Sequence, residues 1–124
     1  MKQMLAVALG GACGAMMRFW LAAAVQRAAG GAFPWGTLFV NVLGSFLLGF
    51  LFIWLIERST VGELARLAIT VGFLGAFTTF STFSVETVRL MQEGAMAWAL
   101  GNICLQVLLC VGVAWLGMQL ARAL

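Results

Sequence analysis

Four long runs without charge, separated by short polar clusters, organise the 124-residue chain. Residues 36 to 56 give 21 uncharged positions in a row and residues 95 to 121 give 27. A helix needs roughly 20 such residues to cross the hydrocarbon of a bilayer. Residues 67 to 85 form an uncharged stretch of 19 between Arg66 and Glu86, and residues 3 to 26 are uncharged apart from Arg18. The pattern predicts an all-α integral membrane chain with four transmembrane helices. The connections are short: Arg27 to Pro34, Glu57 to Glu63 and Met91 to Gly94. Residues 1–124 read as a single transmembrane domain with little room for a soluble one.

Composition sharpens this picture. The chain is 64% hydrophobic and 9% charged, with one proline and no histidine, a membrane profile rather than a soluble one. Its net charge of +3 comes from scattered residues, Lys2, Arg18, Arg27, Arg58, Arg66, Arg89 and Arg122, with no basic run, so nucleic acid has no electrostatic footprint to bind. Without histidine or a paired carboxylate, enzyme chemistry has no constellation to run on. Cys13, Cys104 and Cys110 fall in apolar segments without CxxC spacing and read as small buried hydrophobes. Lys2 before an apolar run imitates a secretory signal, but Arg18 interrupts that run, and the segment reads as a retained helix.

Four crossings put both termini on one side, where Lys2, Arg58, Arg66 and Arg122 lie, against Arg27 and Arg89 on the other. This is a weak orientation bias, which permits insertion both ways up and pairing of opposed copies about an axis in the membrane plane. Gly10 and Gly14 form GxxxG, and Ser45 and Gly49 repeat its spacing, suited to close helix contact either within one chain or between two.

Polar positions inside the runs point to transport. Gly72 to Glu86, GFLGAFTTFSTFSVE, combines phenylalanines with five hydroxyl side chains at membrane depth, where polar groups are costly unless they line a cavity or meet a partner. Gly72 and Gly75 precede β-branched Thr78 and Thr79, predicting a break in the third helix. Phe77, Phe80 and Phe83, spaced by three, align on one stripe beside Ser81, Thr82 and Ser84. A ring edge is positive, so edges turned into a narrow passage attract a small anion without holding it as a lysine would. Hydroxyls and the Asn41 amide replace an anion's water. Freed carbonyls around Gly75 to Thr78 offer the opposite polarity and suit a cation such as sodium. Asn41, Ser45 and Gly49 share one face of the second helix. Asn102, Gln106 and Cys110 share one face of the fourth, which either continues a pathway or joins helices. Arg18 suits a positive vestibule, and Glu86 a helix-end contact. Spacing alone does not choose the ion.

These residues together resemble the Fluc family of fluoride channels, also called CrcB, through GGACGAMMRF at 10 to 19, GTLFVNVLGSFLLG at 36 to 49 and GFLGAFTTFSTFSVE at 72 to 86. The resemblance covers essentially the whole chain. It implies an antiparallel, dual-topology homodimer with two fluoride pores and a structural sodium ion at the dimer centre. By motif, Phe80 and Phe83 fall on the family's pore phenylalanines and Asn41 on its pore asparagine. Ser81 and Thr82 fall on its hydroxyl donors and Arg18 on its first-helix arginine. Gly75 and Thr78 fall on the positions whose carbonyls hold sodium. The fourth helix departs from the family pattern: Asn102, Gln106, Cys110 and Ala114 stand where members often carry an aromatic followed by hydroxyl residues.

The implied function is a passive channel of the cell (inner) membrane that exports cytoplasmic fluoride down its electrochemical gradient and confers fluoride resistance, with no organic cofactor. The alternative is a small proton-coupled multidrug exporter, similar only in size, which needs a mid-membrane carboxylate that the first helix lacks. A purely structural subunit leaves the clustered rings and hydroxyls unexplained.

Overall fold

A computed structural model describes residues 1–55 and 60–124. Among them there is no strand, and four helices are long and apolar enough to cross a membrane. The first is α1 (Lys2–Ala29) and the second α2 (Trp35–Ile53). The third span, Glu63–Gln92, is composite. It comprises α3 (Glu63–Leu67), a π-helical stretch Ala68–Leu74, α4 (Gly75–Phe77) and α5 (Phe80–Gln92). The fourth is α6 (Met96–Ala123). The predicted end of the second run at residue 56, and Glu57 and Arg58 of the connection after it, lie outside the described residues.

The α2 helix packs chiefly on α6, α1 packs on the first leg of the third span, and α5 leans on α6. Lipid tails are as apolar as leucine, so helices in a bilayer associate through close packing rather than by escaping water. Small residues supply that packing here. A Cβ on Gly10 would strike the Ala68 carbonyl, and one on Gly14 the Phe73 carbonyl. Gly36 meets the Ala22 carbonyl, and Gly49 and Gly117 meet the carbonyls of Ala114 and Phe46 across the α2–α6 seam. The GxxxG pair of α1 therefore serves contacts within the chain. Gly72 follows the same logic: its Cβ would lie 2.8 Å from the Val7 carbonyl oxygen.

The turn from α5 to α6 closes in three residues. Ala95 N–H donates to Leu90 O at 2.9 Å and Gly94 N–H to Met91 O at 3.1 Å, a Schellman pair whose left-handed position is Gly94, φ 76°. At the other hairpin the Gln26 side chain donates to the carbonyls of Gly31 and Phe33 at 3.2 and 3.1 Å and accepts from Gly36 N–H at 3.1 Å. One side chain thus ties the link between α1 and α2.

Two expectations about burial are corrected. Cys13 and Cys104 are exposed, and only Cys110 is partly covered. A membrane helix turns apolar residues outward as well as inward, so an apolar setting does not imply burial within the chain. The three phenylalanines do not share a stripe either. Phe77 is 2% exposed and stacks on Phe73 at 5.9 Å, whereas Phe80 is 77% exposed and pairs with the buried Phe83 at 5.3 Å. Thr78 and Thr79 are extended (ψ 159° and 115°), and this rotates the second leg against the first.

Candidate functional site

The extended pair creates the polar centre of the molecule. In an uninterrupted helix Thr79 N–H would donate to Gly75 O and Thr82 N–H to Thr78 O. Here Thr79 N–H donates to Asn41 Oδ1 at 2.7 Å, and Thr82 N–H donates to Thr79 Oγ1 at 3.2 Å. The carbonyls of Gly75 and Thr78 thereby lose their helical donors. That of Ala76, between them, accepts from Arg18 Nε at 3.0 Å. Thr78 stays tied back, since both its N–H and its hydroxyl donate to Leu74 O, at 3.2 and 3.1 Å.

Asn41, 8% exposed, meets Thr79 on both of its backbone groups. Its Oδ1 takes the N–H, and its Nδ2 donates to Thr79 O at 2.9 Å and to Gln106 Oε1 at 3.1 Å. Such pairing is what membrane depth demands, because no water is present to satisfy a freed backbone group. Thr79 also caps α5: its hydroxyl accepts from Thr82 N–H and donates to Thr82 Oγ1 at 2.9 Å, with Ser81 Oγ at 3.4 Å.

Two cavities flank this centre. One of about 290 Å³ is lined by Asn41, Ser45, Phe80, Phe83, Gln106 and Cys110, among others. The other, of about 550 Å³, is lined by Arg18, Thr37, Thr82, Glu86 and Arg89, among others. Thr79 lines both. In the larger cavity Thr37 donates its hydroxyl to Glu86 Oε1 at 2.8 Å, so Glu86 contacts a neighbouring helix. Ser81 lines neither and is exposed. The structure thus gathers Asn41, Phe80 and Phe83 at one cavity and Arg18 and Thr82 at the other. Thr78 sits where the backbone leaves its helical pattern, and Gly75, still helical, opens the short turn before it.

A family model described as CrcB-like protein, Camphor Resistance (CrcB), matches residues 5–118. The chain belongs to the CrcB family. It is 54% identical over 116 residues to a fluoride-specific ion channel FluC of Magnetococcus marinus, covering 94% of each. A FluC of Citrifermentans bemidjiense is 43% identical over 124 residues, the full length of both. A third, from Methylococcus capsulatus, is 51% identical over 119 residues, which cover 96% of this chain but 52% of that relative, so the chain spans about half of that protein. CrcB relatives are thus named as channels, and this chain is not an enzyme.

For this CrcB chain, sequence reasoning missed two participants. Thr79 was legible as the hydroxyl three residues before Thr82, the spacing of a helix N-cap. Gln106 lies on the polar face of the fourth helix, for which the sequence left two roles open, continuing a pathway or joining helices. That face joins helices: Gln106 meets Asn41, and Asn102 Nδ2 donates at 2.9 Å to Thr87 Oγ1, which donates to Phe83 O at 2.7 Å. Among the described residues no three His, Cys, Asp or Glu side chains come together as a metal site, so any bound cation would depend on carbonyl and hydroxyl oxygens.

Proposed function

We propose that the protein is a passive, fluoride-selective channel of the cell inner membrane, letting cytoplasmic fluoride leave down its electrochemical gradient. The observation that carries the reading is the 290 Å³ cavity where Asn41, Phe80 and Phe83 meet, in a CrcB chain whose relatives are named fluoride-specific channels. An anion entering by the larger cavity meets Arg18 and Arg89 on a wall that also carries Glu86 and Glu93, the latter 4.0 Å from Arg89, so its attraction falls chiefly to Arg18 and forms no tight binding cage. The Thr82 hydroxyl in the larger cavity, and beyond Thr79 the ring edges of Phe80 and Phe83 with the exposed Ser81 hydroxyl beside them, take over from water. Binding stays weak enough for release, as conduction requires.

The working form in this proposal is an antiparallel, dual-topology homodimer with a broken third helix. Phe80 is 77% exposed in the single chain and Ser81 is exposed beside it, so a pathway along them lacks a wall that a second copy would supply. A structural sodium ion fits the carbonyls of Gly75 and Thr78, which have lost their helical donors. Hard oxygen ligands suit such a cation. When bound, it would supply positive charge that fixes the two legs of the third span. The multidrug exporter draws no support, because the carboxyls that line the larger cavity are Glu86, which accepts from Thr37, and Glu93, which pairs with Arg89, and neither stands in an apolar drug site.

Purified protein in liposomes, voltage-clamped with potassium and valinomycin, tests the reading. Electrogenic fluoride efflux with chloride excluded is expected. Equal passage of chloride, or passage of neither ion, overturns it. Phe80→Ile or Phe83→Ile is expected to cripple fluoride flux while the protein still elutes as a dimer, and unchanged flux in both removes the ring-edge mechanism.

A further inference from the structure

Backbone polarity at Thr79 dictates which amide is left to serve an anion. Thr79 N–H needs an acceptor, so the side-chain atom facing it at 2.7 Å is Asn41 Oδ1. Asn41 Nδ2 then faces Thr79 O at 2.9 Å and gives its second hydrogen to the neighbouring Gln106 at 3.1 Å. Both Asn41 protons are committed, and its oxygen only accepts. Because Asn41 presents a donor to Gln106, the Gln106 atom that meets it is the oxygen. Cys110, one turn along α6, offers its thiol to the same Oε1 at 3.8 Å. Two donors on Oε1 fix the orientation of the whole amide, and Nε2 is left buried without a partner among the described residues. Gln106 is 5% exposed and lines the cavity that holds Phe80 and Phe83.

We infer that in this chain the amide donor to the permeating anion is Gln106 Nε2, and that Asn41 acts as a positioning residue that turns it. A buried N–H₂ with no acceptor is a standing deficit, and a small anion arriving at the cavity wall relieves it. Nε2 is closed to solvent, so the visitor must be small enough to slip between side chains. That requirement favours fluoride over chloride. This assignment rests on the fluoride-channel reading above.

The test uses the full-length protein in liposomes, with fluoride and chloride as the probes. Gln106→Met removes the donor at similar volume, and Gln106→Glu keeps an oxygen for Asn41 while replacing the NH₂. Both should lower fluoride flux by about tenfold or more, the loss expected for one hydrogen bond to a charged partner, with dimer elution retained. Wild-type-like flux in Gln106→Met overturns the assignment. So does a loss confined to Gln106→Glu, which would report charge rather than donation. Should the variants not fold, the unaltered protein decides. With ¹⁵N-glutamine and ¹⁵N-asparagine labels, added fluoride should shift the Gln106 side-chain amide protons and leave those of Asn41 nearly in place. A conducting protein whose Gln106 amide stays silent sinks this assignment alone, whereas vesicles of the unaltered protein that carry no fluoride sink the channel reading itself.

Discussion

Asn41 does more for the chain than a lone interhelical amide would. Single hydrogen bonds between membrane helices average about 0.6 kcal/mol, because the unfolded chain also finds partners there. Asn41, however, satisfies both backbone groups of one residue, and stranding a buried polar group costs about 1–3 kcal/mol. Asn41→Ala should therefore lower stability by about 2 kcal/mol or more, read as an earlier transition in detergent-driven unfolding. Gln3→Ala is the contrast. It removes only an exposed bond to Glu63 at 2.8 Å and should leave the transition nearly unmoved. Thr79→Val, which deletes the cap of α5, should fall between them, at about 1 kcal/mol. Neither partnership of Asn41 was legible in the chain itself. Asn41 and Thr79 are 38 positions apart and Asn41 and Gln106 are 65 apart, so their meeting depends on how the helices pack, which local pattern does not encode.

The four spans, by contrast, were legible to within about three residues at most ends, since length and absence of charge alone decide whether a helix can cross a bilayer; the third runs from Glu63 to Gln92, beyond the uncharged 67 to 85 at both ends. The glycines were legible as important but not for the right reason. The sequence points to Gly72 and Gly75 together with Thr78 and Thr79 as weakening the third helix, yet Gly75 keeps ordinary helical angles (φ −62°, ψ −35°) and Gly72 is pressed against α1. The departure from helix falls on Thr78 and Thr79, which combine β-branching with hydroxyls able to bond their own backbone. This distinction predicts opposite outcomes on one face of α1. A Cβ at Gly14 runs into the Phe73 carbonyl, whereas one at Gly11 finds ordinary contact at 3.8 Å. Gly14→Ala should lower the melting temperature and Gly11→Ala should hold or raise it, alanine being the better helix former by about 1 kcal/mol. Thermal unfolding followed by size exclusion reads both.

For the whole molecule, the weak charge asymmetry and the open flank around Phe80 lead to one expectation about insertion. With the three cysteines replaced by alanine and Leu124→Cys introduced at the exposed C-terminus, an impermeant thiol reagent should reach the new cysteine from both faces of the membrane. Labelling from one face alone would remove the opposed pairing. The tie at the first hairpin bears on how such a molecule behaves once inserted. Gln26 also lines the larger cavity, beside Ala32 and Pro34, and holds that rim at three points. A rim fastened this way resists swinging shut like a door. In the channel proposed above, such an entrance stays ajar, and discrimination falls to the narrow stretch deeper in.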